Sequence, residues 1–312
     1  MNQVLKGSIV ALVTPMKKNG DIDFLSLDKL IEWHIGNGTN AIVSVGTTGE
    51  SATLSVKEHL KVIEHTVKKV DKRIPVIAGS GSNSTSQAIE TTCESEKIGA
   101  DFALLVTPYY NKPSQNGLIK HYSKIADSCD IKQILYNVTS RTACDILPTT
   151  VGILSNHENI VGIKESLDDK LRIKELIEIS TNHKDDFYIF SGDDPSFLNL
   201  LMMGGHGVIS VAANILPKEI SNICSDFFRG DSDKALEQNK KLENIYDLIF
   251  IESNPVPVKW MLYKMKMIEN SVRLPLVSLD EKYRDNIRTE MLKLGLLWEG
   301  FQYFYLWWEV ME

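Results

Sequence analysis

Eight short apolar runs, rich in β-branched residues, punctuate the first two thirds of the chain. They begin at Ser8, Ala41, Pro75, Phe102, Gln133, Ile160, Phe187 and Gly207, with starts spaced by roughly 20 to 35 residues. Short runs without polar alternation read as strands covered on both faces. Between them, apolar residues fall at helical spacing. Leu25, Leu27, Leu30, Ile31 and Ile35 share one stripe; Ala88, Cys93 and Ile98 form another that stops at Gly99. Eight buried strands alternating with amphipathic helices predict parallel βαβ units of about 30 residues each, hence an α/β chain closed as a (β/α)8 TIM barrel. A doubly wound open sheet would want Gly-x-Gly-x-x-Gly after its first strand, and the segment Leu12–Gly20 is not one.

After Val211 the pattern changes. From about Lys218 to Leu297 only helical spacing recurs, with a proline-containing break at 253–258 before the segment carrying Trp260 and Met261. The expected organisation is a catalytic barrel over 1–223, a helical domain over 224–297, and an aromatic-rich tail over 298–312 of unknown status, read as a reading-frame artefact or a dispensable appendage.

Composition narrows the function classes. The chain has 312 residues, 43% of them hydrophobic, enough for a full core. A net charge of -7 without a basic stripe argues against nucleic acid and anionic membrane as partners. No stretch reaches the ~18 apolar residues of a membrane span, and the amino terminus lacks a signal-peptide pattern. Cys93, Cys129, Cys144 and Cys224 form no Cys-x-x-Cys pair, so reduced thiols and a cytosolic location are expected. No His/Cys spacing suggests a metal.

In such a barrel the carboxyl ends of the strands face the active site. Four of them are chemically loaded: Gly46–Glu50, Thr107–Tyr110, Tyr136–Asn137 and Lys164–Glu165. Lys164 ends an apolar run, where desolvation favours the neutral amine that attacks a ketone. The plainer reading pairs it with a carboxylate such as Glu165. Tyr136 ends the preceding strand, within reach of the same substrate, and a phenol with hydroxyl partners can relay a proton. A core tyrosine with one satisfied hydroxyl is the alternative. Gly46 and Gly49 let the backbone turn sharply, and Thr47 and Thr48 with their N–H groups suit a small carboxylate; an ordinary βα turn is the other possibility. Arg141 offers a bidentate fork for a second carboxylate, or is a solvated loop residue.

Taken together, GSIVALVTPM, AIVSVGTTGESATL, VTPYYNKPSQNGL, QILYNVTSRTACDILP, VGIKES, SGDDPS, GGHGVISV and NPVPVKW, in order from about Gly7 to Leu297, closely resemble the dihydrodipicolinate synthase family. The resemblance implies a barrel with a helical extension, assembled as a homotetramer of tight dimers. It implies a lyase that condenses pyruvate with L-aspartate 4-semialdehyde for diaminopimelate and lysine synthesis, with no cofactor or metal. Lys164 then matches the lysine that forms the Schiff base with pyruvate. Tyr136, Thr47 and Tyr110 match a proton relay, with Tyr110 reaching into a neighbouring subunit. Thr47 and Thr48 match the pyruvate carboxylate contacts, Arg141 the contact to the semialdehyde carboxylate, and Gly192 and Ile209 backbone positions lining the pocket. Sialic acid lyases of the same superfamily are the alternative. Gly46-Thr47-Thr48, where they look more like Gly-Ser-Thr, and Arg141, which they lack, favour the synthase.

The match has departures. Thr139 stands where the family usually has proline, which is expected to loosen the loop carrying Arg141. Ser51, Ala52, His59, Asn83 and Tyr109 match the pocket where lysine-sensitive members bind their end product. Val56 replaces a histidine there and Gln87 a glutamate, so weak lysine feedback is expected.

Overall fold

The computed structural model describes residues 5–184 and 186–297. Its strands are β1 (Gly7–Ala11), β2 (Ala41–Ser44), β3 (Val76–Gly79), β4 (Phe102–Val106), β5 (Lys132–Asn137), β6 (Ile160–Glu165), β7 (Tyr188–Ser191) and β8 (Gly207–Ser210). All eight predicted runs form strands. Each pairs in parallel with its sequence neighbour, and β1 pairs also with β8, so the sheet closes on itself. The expected (β/α)8 barrel is the architecture observed.

The continuous apolar runs follow from this closure. Successive side chains point to opposite faces, and here both faces are buried. Ile9, Ala11, Val43, Ile77, Leu104, Ile134, Tyr136, Phe190 and Ile209 fill the inside. Val10, Ile42, Leu105, Leu135, Ile163, Ile189 and Val208 face outward onto the helices. The predicted stripe 25–35 lies in the helix Phe24–Gly36, which buries Leu27, Leu30 and Ile31 and leaves Leu25 exposed. The helix Thr85–Ile98 ends at Gly99, whose φ of 97° gives the left-handed stop that glycine adopts without strain. The helix Val56–Val70 starts with a reciprocal cap between Ser55 and Glu58.

One irregularity positions the chemistry. Gln133 of β5 is opposite Ile160 of β6, but Ile134 is opposite Gly162, so Val161 is left over. This one-residue slip sets Tyr136 opposite Lys164, with both side chains turned inward.

Beyond the barrel the described residues form no strand, and their helices, joined by turns and loops, are Pro217–Phe228, Ser232–Lys240, Glu243–Leu248, Val256–Lys264 and Glu281–Lys293. The expected boundary at 223/224 falls inside Pro217–Phe228, a continuous helix that packs on β1. The helix Val256–Lys264 is buried through Leu262. The expected tail at 298–312 lies outside the described residues.

Candidate active site

Lys164 is 4% exposed and Tyr136 7%. The lysine Nζ sits 4.3 Å from the centre of the Tyr136 ring. The rival reading, a Lys164–Glu165 ion pair, does not form, because adjacent strand residues face opposite ways. Lys164 points into the barrel, whereas Glu165 points out and meets Arg172 at 2.6 Å. Among the described residues no carboxylate lies within ion-pair distance of Lys164. A cavity of about 190 Å³ opens over the two side chains, walled by Gly46, Thr47, Thr48, Val138, Arg141, Gly192 and Asn254 among others. This volume suits a small organic acid.

The opposite wall is the loop after β2. Val45 has a φ of 56°, an uncommon conformation for a β-branched residue and one that costs energy. It turns the chain abruptly so that Gly46, Thr47 and Thr48 line the cavity. The turn needs bare backbone nearby. A Cβ on Gly79 would lie 2.5 Å from the Val45 carbonyl oxygen, and one on Gly49 would lie 2.9 Å from the Val45 Cα. Inside the loop the Gly49 N–H donates to the Gly46 oxygen at 3.0 Å. The Thr48 hydroxyl accepts from the Asn254 amide at 2.9 Å.

Arg141 stands at the cavity rim, and its guanidinium approaches the Asn254 carbonyl at 3.4 Å. It lies in a single helical turn, Thr139–Thr142, with Thr139 as its first residue. A proline there would give up no intrahelical bond. The turn is instead tied down by Thr142, whose hydroxyl donates to Val138 and Cys144 carbonyls at 3.1 and 3.0 Å. Thr107 Oγ1 donates to that same hydroxyl at 3.1 Å. Gly192 lines the cavity against Lys164. The Ile209 side chain is buried in the barrel interior with Tyr136 and Phe190, and Val211, two residues on, lines the cavity. Tyr110 is 90% exposed, has a φ of 75°, and is not brought to Lys164 within this chain.

Several supporting residues carry no signal that periodicity or spacing reveals. Behind Lys164, Asn137 donates to both Glu165 oxygens at 3.1 Å and to Asp145 at 2.8 Å. Arg172 bridges the same two carboxylates. Burial pushes the Glu165 carboxyl up, and the Arg172 charge opposes that rise. Beneath the threonine loop, Glu50 (3% exposed) pairs with Lys259 (1% exposed) of the helix Val256–Lys264. Burial draws the Lys259 ammonium down, against the pull of Glu50. Lys259 also donates to the Thr14 carbonyl at 3.0 Å, and Arg273 N–H to Glu50 at 3.0 Å. Of these residues only Asn137 and Glu165 stand next to a motif side chain, each on the strand face opposite to it.

A second cavity of about 530 Å³ adjoins the first through Thr47, Val138, Arg141 and Asn254. Ser51, Ala52, Val56, His59, Gln87 and Tyr109 line it. Asn83 stands just outside and donates to the Tyr109 carbonyl at 3.1 Å. The Gln87 carbonyl oxygen accepts from Ser82 at 2.9 Å. His59 bonds through Nε2 to the Gly79 carbonyl at 2.7 Å. Burial holds its imidazole below the usual range, so it is neutral at pH 7. Among the described residues no group of three or more His, Cys, Asp or Glu is placed to hold a metal ion. No helix there is long and apolar enough to cross a membrane.

Comparison with known proteins gives one answer. Residues 4–293 match the profile of the Dihydrodipicolinate synthetase family. The chain is 50% identical over 295 residues to 4-hydroxy-tetrahydrodipicolinate synthase of Stutzerimonas stutzeri, covering 94% of this chain and all of that protein. Its fold superposes on the chloride-inhibited dihydrodipicolinate synthase of Acinetobacter baumannii, solved with pyruvate, with a TM-score of 0.91 and 46% identity over 94% of this chain and all of that one. It also superposes on the synthase of Cyanidioschyzon merolae with lysine bound, with a TM-score of 0.90 and 35% identity over 94% and 99% of the two chains. With this match spanning barrel, site loops and helical extension, the chain belongs to the dihydrodipicolinate synthetase family.

Proposed function

We infer that this protein is a Schiff-base lyase that condenses pyruvate with L-aspartate 4-semialdehyde, releasing water, on the route to diaminopimelate and lysine. The observation that carries the mechanism is the placement of Lys164: buried, without a carboxylate partner among the described residues, and facing the threonine loop across a small cavity. Its amine adds to the pyruvate ketone. The carbinolamine then loses water to give an imine, which acts as the electron sink that a cofactor would otherwise supply. Thr47 and Thr48 hold the pyruvate carboxylate. Tyr136, with Thr47 and the Tyr110 of a second copy, moves protons to and from the adduct. Arg141 at the rim receives the carboxylate of the semialdehyde, and Gly192 leaves room for the imine. A retro-aldol lyase acting on a long sugar acid fits the narrow cavity and the rim arginine less well.

Because Tyr110 is almost fully exposed in one copy, the working unit in this reading is a tight dimer, doubled into a tetramer, in the cytosol. The second cavity is the place for a weak lysine effector. Borohydride reduction in the presence of pyruvate, followed by peptide mass analysis, tests the central step. The reduced pyruvyl mass is expected on the Lys164 peptide and absent from Lys164→Ala. A label on another lysine would overturn the assignment.

A further inference from the structure

Two buried side-chain oxygens of residues lining the cavity, Ser166 Oγ and Asn254 Oδ1, have no hydrogen-bond partner among the described residues, and of the two only the serine hydroxyl can donate a proton to a ligand. A buried hydroxyl without a partner is uncommon, and an absent ligand is one explanation for it. Ser166 lines the same cavity as Lys164. Its position is well defined. A Cβ built on Gly192 would lie 2.2 Å from Ser166 Oγ and 2.8 Å from Lys164 Cε. The hydroxyl therefore leans over the bare Gly192 backbone toward the end of the lysine chain.

The strand sets its height. The Ser166 N–H donates to the Asn137 carbonyl at 3.1 Å, which extends the β5–β6 ladder by one residue. Ser166 is two residues beyond Lys164, so it shares the inward face and sits about 6.6 Å further along the strand. In a barrel of this type that direction leads to the mouth. Pyruvate, held at Thr47 and Thr48, lies across from Lys164; the second substrate arrives from above, past Arg141. Ser166 is thus beside the imine on its entry side and away from the pyruvate carboxylate.

We propose that Ser166 is a catalytic residue for the acceptor half of the reaction, donating a hydrogen bond to the aldehyde oxygen while the new carbon–carbon bond forms. This rests on the pyruvate imine at Lys164. In the step, the enamine carbon attacks the aldehyde carbon, the C=O π pair moves onto oxygen, and the enamine nitrogen becomes an iminium. The oxygen takes up one proton, which balances the proton lost from the pyruvate methyl group when the enamine formed. No oxidant or reductant is required. The serine hydroxyl stays protonated and steadies the negative charge growing on the aldehyde oxygen, as donors of an oxyanion hole do.

The test compares Ser166→Ala and Ser166→Thr with wild type. In Ser166→Ala, kcat/KM for aspartate semialdehyde should fall roughly a hundredfold to a thousandfold, the scale of losing one oriented donor. Borohydride trapping of pyruvate on Lys164 should change less than about twofold, which also reports that the variant folds. Ser166→Thr keeps the hydroxyl and should recover most of the loss. Acceptor kinetics within twofold of wild type in Ser166→Ala would overturn the proposal. So would an equal loss of trapping and turnover, since the hydroxyl would then serve the imine. If wild type itself fails to trap pyruvate on Lys164, the lysine mechanism fails instead, and the two failures are separable.

Discussion

Replacing Lys259 by methionine tests how the helical extension supports the threonine loop. The change keeps the side-chain length and removes the charge. Glu50 would then remain buried at 3% exposure, with the Arg273 N–H at 3.0 Å as its surviving bond. Removing one partner of a buried pair costs about 3–5 kcal/mol, because the other charge is left uncompensated. The surviving bond and the nearby Arg273 guanidinium place the expected loss near the low end, about 3 kcal/mol. At about 2–4 °C per kcal/mol for a large domain, Tm should drop by about 6–12 °C. Glu50→Gln alone should also destabilise, since it strands the ammonium of Lys259. The double variant Lys259→Met/Glu50→Gln should recover much of either loss, because no buried charge is left alone. Differential scanning calorimetry of the four proteins at one concentration closes the cycle. Glu50 closes the Gly46–Glu50 loop two residues after Thr48, so KM for pyruvate should rise in Lys259→Met more than kcat falls. A Tm loss under about 2 °C in Lys259→Met, or a double variant worse than the sum of the singles, would refute the reasoning.

Three further outcomes are expected. Tyr136→Phe should fold normally and lose about 10²–10⁴ in turnover, the scale of a positioned proton-transfer group; near-wild-type kcat would remove Tyr136 from the relay. The Arg273 fork holds the Glu58 carboxyl down at about 2, so its stabilisation is complete above the ordinary glutamate range and is lost as pH falls toward 2. The Tm gap between wild type and Glu58→Gln should therefore be widest near neutrality and close between about pH 4.5 and 2, and a gap independent of pH would contradict the pairing. Lysine should inhibit weakly, because a neutral Gln87 offers a bond weaker by about 1 kcal/mol than a carboxylate would, and Gln87→Glu with Val56→His should lower the lysine concentration giving half inhibition; strong inhibition of the wild type would refute this.

The order of strands and helices was legible in the sequence because both faces of each strand are buried, which writes each one as an unbroken apolar run. Lys164, Tyr136 and Thr47 were legible because polar residues at the ends of such runs are costly and therefore conspicuous. Arg141 and Gly192, which the family motifs point to, both line the cavity, and so does Val211, which the motifs leave unnamed. The Asn137–Glu165 and Glu50–Lys259 contacts were not legible, since 28 and 209 residues separate the partners and only the tertiary fold brings them together. The slip between β5 and β6 belongs to the same class. Local composition specifies which segments are strands. Which residue of one strand faces which residue of the next depends on the whole ring of eight closing without a gap, and the alignment of Tyr136 with Lys164 exists only once it has closed.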